Sequence, residues 1–166
     1  KASVINRQQI KLIGTQTTAK GYLEYINKKY GYRIKYPSDL TVNTPYGPEQ
    51  VEIKDTTRFY TIIASELSGT TNFEGKEREI KDLSPKEIIT MELRRRCKES
   101  DLTTIVWTEI KIGELEGVEA SYSSDVCVNR YLPWFVVIRN GISYHIKFIK
   151  GYQDEYRQII TSLHFE

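Results

Sequence analysis

The chain has 166 residues, 39% of them hydrophobic and 28% charged, with 24 basic and 22 acidic side chains. That length predicts one domain able to bury a core of its own. The composition excludes a disordered chain, and a net charge of +2 gives no electrostatic case for a nucleic-acid partner.

Residues 1–20 are mostly polar, with a weak apolar patch at Ile10, Leu12 and Ile13, and read as a flexible N-terminal arm or linker ahead of a domain spanning 21–166. The chain starts at Lys1 rather than Met, which reads as a processed or truncated start. Tyr25–Tyr30 is expected to be a helix or turn leading into a strand. Gly31–Tyr36 then alternates, with Tyr32, Ile34 and Tyr36 on one side and Arg33 and Lys35 on the other, the mark of a strand with one wet face. Pro37 ends it, having no amide proton for a ladder. Leu40–Val42 and Val51–Ile53 are read as short strands. Phe59–Ser65 is apolar on both sides, as an inner strand of a covered sheet would be.

Residues 68–83 are read as loop. Ser84-Pro85-Lys86-Glu87 then announces a helix, with Ser84 as N-cap, Pro85 at the first helical position and Glu87 completing a capping box. The helix is expected to run to about Glu99, with Ile89, Leu93 and Cys97 on its buried stripe. Thr104–Ile112, Val118–Val128 and Tyr131–Arg139 follow as strands. Asn140-Gly141 is a hairpin signal, because both residues tolerate positive φ, and Ile142–Ile149 is the return strand. Tyr152, Tyr156, Ile159, Ile160 and Leu163 show helical spacing. The run Trp134–Ile138 is apolar on both faces, so helices are expected on both sides of the sheet. The predicted class is α+β, a three-layer α/β/α sandwich with a mostly antiparallel central sheet. Twelve tyrosines fit a sheet-rich fold. The longest apolar run, Leu132–Ile138, is far short of the roughly 20 residues of a spanning helix, so no transmembrane segment is expected.

Two cysteines, Cys97 and Cys127, are too few for a metal site of cysteines alone, and neither has a His at ligand spacing. They are either two free buried thiols or one disulfide. A bond between them would stabilise the fold by roughly 3–4 kcal/mol and would place the protein outside the cytoplasm.

Chemistry-bearing motifs are sparse. There is no Gly-rich phosphate loop, no Gly-x-Ser-x-Gly elbow and no His-Glu-x-x-His. Ser123 or Ser124, Asp125 and His145 supply the residue types of a triad at spacings that demand nothing, and no catalytic, cofactor or metal residue is assigned. Glu114, Glu116 and Glu119 read as a solvated hairpin tip. Arg94-Arg-Arg-Cys-Lys98 is the one concentrated charge run. Cations near a helix C-terminus complement its dipole; together with Trp107, Arg94 and Arg95 are the candidate partner-binding patch.

The segment Tyr30–Leu40, "YGYRIKYPSDL", resembles the opening strand of PsbP-like domains. The Asn140-Gly141 hairpin and "YQDEYRQIITSLHF" at Tyr152–Phe165 resemble their later hairpin, closing helix and final strand. The match covers about residues 22–166. PsbP is an extrinsic subunit of the photosystem II oxygen-evolving complex, a Ran-binding nuclear import factor shares its fold, and many bacterial relatives are exported proteins or lipoproteins. The resemblance implies a non-enzymatic, extracytoplasmic binding or assembly module that acts through protein–protein contacts at the cell envelope. It would use an unidentified protein partner and no cofactor. Any membrane tether would be an N-terminal lipid-anchor region since removed. Two other classes are weighed beside it: a small-ligand or lipid-binding protein using a cleft between the sheet and a helix, and a hydrolase.

Overall fold

The computed structural model describes residues 21–121 and 123–166; the expected N-terminal arm lies outside them. The first element is a hairpin, β1 (Tyr22–Asn27) and β2 (Tyr32–Pro37). The segment read as a helix or turn is therefore the first half of a strand pair, in register from Tyr22 opposite Pro37 to Asn27 opposite Tyr32. Asn27 makes the corner. It is buried, accepts a hydrogen bond from the Tyr30 amide and donates to the Pro48 carbonyl. With β12 (His164–Phe165), the hairpin forms a small sheet in the order β1-β2-β12.

The main sheet contains β3 (Thr41–Asn43), β4 (Gln50–Lys54), β5 (Phe59–Glu66), β8 (Val106–Ile112), β9 (Leu115–Ser121), β10 (Trp134–Arg139) and β11 (Ile142–Lys150). Their order is β3-β4-β5-β11-β10-β9-β8, and every neighbouring pair is antiparallel. Asn140 and Gly141 both have positive φ and form the two-residue turn between β10 and β11. Residues 68–83, expected as loop, hold a second hairpin, β6 (Thr70–Phe73) with β7 (Lys76–Glu79), and a 3-10 turn at Ile80–Asp82. Four-residue strands with one buried residue between them carry too little alternation to be read from sequence.

One face of the main sheet is covered by the small sheet together with α4 (Gln153–Thr161). Val51, Ile53, Tyr60, Ile62, Phe135, Val137, Tyr144 and Ile146 meet Tyr32, Ile34, Tyr36, Tyr156, Ile159 and Ile160 there. The tyrosine-rich composition resolves into this core. Rings of Tyr32 and Tyr144 meet edge to face at 5.8 Å, and Tyr60 stacks on Tyr156 at 6.5 Å. Their hydroxyls find partners as buried polar groups must: Tyr144 donates to the Tyr30 carbonyl, Tyr156 to that of Ile146, and Tyr60 to Glu155. Arg58 then fastens α4 to the β4–β5 turn and the β2–β3 turn, donating to Glu155, Asp55 and Asp39. The guanidinium holds the Asp55 carboxyl well below the usual carboxylate range.

The other face carries α1 (Pro85–Arg94), which begins with the expected Ser84–Glu87 capping box. It ends five residues before the expected Glu99, because Lys98 turns to extended backbone and its amide caps onto Asp101, starting the short α2 (Glu99–Leu102). Cys97 therefore lies in a turn and not on the helix. The expected strand Val118–Val128 stops at Ser121. Asp125 accepts from the amides of Cys127 and Val128, and α3 (Val126–Asn129) is helical instead. The three layers are therefore helices, sheet, and a mixed helix-and-sheet cover, within the predicted α+β class.

Gly117 is required by close approach. A Cβ there would stand 2.5 Å from two Phe135 ring carbons. Gly117→Ala is expected to destabilise the protein by about 1–3 kcal/mol through overpacking, seen as a lower urea midpoint with an unchanged denaturant slope.

Candidate functional site

The sequence of α1 carries two stripes. Ile89 and Leu93 bury completely against Ala120, Trp134 and Val136 of β9 and β10. Ile88, Met91, Glu92 and Arg95 repeat at helical spacing on a second stripe, which forms one wall of a groove of about 330 Å³. The floor is β5 and β11, from which Ile63, Ser65, Ser143, His145 and Lys147 rise on the same face. Leu67 and Ile80 also line it and belong to the same apolar cluster as Ile88 and Met91. The groove is thus half apolar and half polar, between a helix and a sheet.

His145 and Ser143, both buried, line its floor, and their hydrogen-bond partners assign the imidazole tautomer. The Trp134 indole N–H donates to His145 Nδ1 at 3.2 Å, so the neutral imidazole carries its proton on Nε2 and donates to Ser143 Oγ at 2.8 Å. Ser143 in turn donates to the Ser65 carbonyl at 3.2 Å. Burial, with a smaller contribution from the Lys147 charge, lowers the His145 pKa to about 3. At neutral pH the imidazole is therefore a neutral link in a closed chain. Its basic lone pair is occupied by an indole, and the neighbouring serine proton points to a backbone carbonyl.

Lys147 stands directly across from Trp134, and its ammonium lies 3.9 Å from the centre of the indole ring. That contact is a cation–π interaction. Burial lowers the Lys147 pKa. Among the described residues no carboxylate bonds to it. Arg95 at the mouth of the groove is shared with Glu92 at 3.1 Å.

The residues singled out from sequence fall in several places. Cys97 and Cys127 are joined by a disulfide that ties the turn after α1 to α3. Arg94 is bidentate to Glu99 and lies over Phe73, away from the groove. Trp107 is half-buried in the core beneath α1, with Lys86 over its ring. Lys86 and Arg94 stand near opposite ends of α1. Ser123 is buried and bonded to Thr104, Asp125 caps α3, and His145 bonds to Trp134 and Ser143, so these three do not converge. Glu119 is not at a hairpin tip. It is buried under α4, with one oxygen on Arg157 at 2.8 Å and the other unpartnered, and burial raises its pKa. Lys147 and the second stripe of α1 were missed. The spacing of Ile88, Met91, Glu92 and Arg95 carries the second stripe, but the apolar spacing of Ile89, Leu93 and Cys97 is the stronger pattern in that helix.

No protein-family model matches the chain, and no curated protein matches it in sequence. The fold is similar to the solution structure of cyanobacterial PsbP (CyanoP) from Synechocystis sp. PCC 6803. The TM-score is 0.56 at 12% identity, covering 93% of this chain and 99% of that one. A crystal structure from Bacteroides thetaiotaomicron VPI-5482 aligns with a TM-score of 0.45 at 14% identity, over 86% of this chain and 48% of that one. The chain therefore has the PsbP-like fold. No helix among the described residues is long and apolar enough to cross a membrane.

His145 makes stability pH-dependent. Its folded pKa is depressed below the usual 6.5, so the stability it contributes is present above pH 6.5 and is lost as pH falls toward about 3. Between about pH 6 and pH 4 the wild type is expected to lose about 1.4 kcal/mol per pH unit more than His145→Gln. Urea midpoints across that range measure the difference.

Proposed function

We propose that the protein is a noncatalytic binding module, working outside the cytoplasm, that holds an acidic extended segment of a protein partner in the groove beside α1. The observation that carries this reading is Lys147. Its ammonium is partly desolvated, held on the Trp134 face at 3.9 Å, and free of any bonded carboxylate among the described residues. Glu92 on the α1 wall already favours the charged ammonium through space, and a ligand carboxylate bonded directly to Lys147 would add a charge-assisted hydrogen bond that no described residue supplies. The adjoining Ile63, Leu67, Met91 and Trp134 supply apolar contact for the segment's side chains.

Two further features support it. The hydrogen bonds of His145 and Ser143 are closed within the fold, which suits a rigid floor rather than a proton-transfer site. The Cys97–Cys127 disulfide suits an oxidising compartment, and the PsbP-like fold is one in which exported binding and assembly modules are expected. A tether through a lipid-anchored N-terminus is compatible with this reading. A second reading, a small amphipathic carboxylate in the same groove, is favoured by its volume of about 330 Å³, near the low end for small-ligand sites.

Titration in a Trp107→Phe background, where Trp134 is the only indole of the two in the chain, separates these readings. An extended Asp/Glu-rich peptide is expected to perturb Trp134 fluorescence, and Lys147→Met to weaken binding about tenfold. Binding of decanoate alone would favour the second reading. Indifference of Trp134 to both probes, or of their binding to Lys147→Met, would remove the groove from function.

A further inference from the structure

The main sheet has two edges, and they differ. At one end β3 offers three residues. At the other, β8 offers seven, Val106–Ile112, without proline, and among the described residues pairs only with β9. The amides of β8 make no hydrogen bond other than to β9 among the described residues. An exposed strand of this length presents a row of donors and acceptors about 24 Å long to another chain.

The side chains along this edge say which chain fits. Trp107, Glu109 and Lys111 point to the α1 face, opposite Ala120, Val118 and Glu116 of β9; Thr108, Ile110 and Ile112 point to the other face. Glu109 and Lys111 are exposed, two residues apart on the same face, and neither has an ion-pair partner among the described residues. Ile110 between them is only half-buried, and Val106 is 51% exposed.

We propose that the β8 edge pairs with the β8 edge of a second copy of this chain, antiparallel about a two-fold axis through Ile110, to make one continuous sheet across a dimer. In that register Glu109 of each copy lies opposite Lys111 of the other, twice. Ile110 meets Ile110 on the opposite face, and Thr108 meets Ile112. Opposite charges directly across a strand pair stabilise it, and like charges do the reverse. The neighbouring registers are disfavoured by the same residues. Centring the axis on Glu109 sets the two glutamates face to face, and centring it on Lys111 sets the two lysines face to face. A lysine on an edge is ordinarily a guard against such pairing. Here Lys111 already faces Glu116 across the β8–β9 pair, whereas Glu109 faces Val118 and has no charge opposite it; a two-fold copy sets a lysine directly across from each Glu109. This contact is separate from the α1 groove, and either can fail without the other.

Sedimentation of the full chain across a concentration series tests it. The wild type is expected to show a monomer–dimer equilibrium that weakens as salt is raised. Lys111→Glu, which places four carboxylates in the contact, and Glu109→Lys, which places four ammoniums there, are each expected to weaken association at least tenfold. The double exchange Glu109→Lys/Lys111→Glu is expected to restore it. Thermal melts establish that the variants are folded, since all these side chains are exposed. A protein monomeric at every concentration up to about 1 mM overturns the proposal. So does a dimer indifferent to both single exchanges, or a double exchange as weak as the singles. An edge that stays monomeric but takes up a different added strand would likewise count against self-pairing.

Discussion

Trp134, Phe135, Val136 and Val137 are consecutive, and all four are buried. Successive strand residues point to opposite faces, so this one segment of β10 obliges the sheet to be covered on both sides. The rest of the architecture follows from how each side meets that demand. On the side of Phe135 and Val137 the cover is α4 plus three strands. A helix about 10 Å wide and three strands at about 4.8 Å spacing reach across some 24 Å, enough for most of a seven-stranded sheet. On the side of Trp134 and Val136 the cover is essentially α1. One helix spans about two strands, and α1 lies over β9 and β10. The face of β5 and β11 beside it is left with only a partial roof. The groove is that remainder.

The sequence of the strands is matched to this uneven cover. In β4, Val51 and Ile53 face the thick cover while Gln50, Glu52 and Lys54 face the side with the thin one. In β5, Tyr60, Ile62 and Ala64 are buried, and Thr61, Ile63 and Ser65 lie on the other face. The polar groups nearest the edge of α1 cannot all reach water, and the Trp134–His145–Ser143–Ser65 chain satisfies them internally. A doubly protonated imidazole would need a partner for a second N–H where the indole now donates. Folding and the absence of basicity at His145 are thus one fact. Lys147, one pleat further along β11, is the cation left over at the margin of that chain.

Much of this was legible in the residues. The strands with clear alternation, β2, β4, β8 and β11, were found within a few residues, and the Asn140-Gly141 turn and Ser84 capping box were found where they stand. The class of the fold followed from the doubly apolar β10. What was lost has particular causes. In β1, Leu23, Tyr25 and Asn27 alternate with Tyr22, Glu24 and Ile26, so apolar side chains occur on both sides and no period shows. The end of α1 was overrun because Ile89, Leu93 and Cys97 keep helical spacing beyond Arg94, and the capping of Lys98 onto Asp101 competes only once the chain is folded. In α3, Asp125 caps a turn inside a run that by composition reads as strand. The groove is half legible: the pattern of helices and strands implies a cleft between sheet and helix, but a mixed stripe such as Ile88, Met91, Glu92 and Arg95 and a single lysine on an alternating strand do not stand out from the sequence.

The disulfide falls on the side where the cover is thin, and the packing gives a reason. Among the described residues, α1 packs on one cluster of eight buried residues and a smaller one of three, Phe73, Leu83 and its own Ile88, against a single cluster of nineteen beneath α4 and the small sheet. Less apolar area removed from water means less to offset the entropy of ordering α1, α2, α3 and their connections. Cys97 and Cys127 close a loop 30 residues apart that contains α2, β8 and β9. In the chain-entropy account this removes unfolded-state freedom equivalent to roughly 3–4 kcal/mol. The bond therefore acts where hydrophobic burial is scarcest, and it holds the C-terminal turn of α1, beside Arg95, against the layer of the sheet. The position of that turn sets the mouth of the groove. A covalent tie in the weaker core and a fixed wall for the groove are the same structural device.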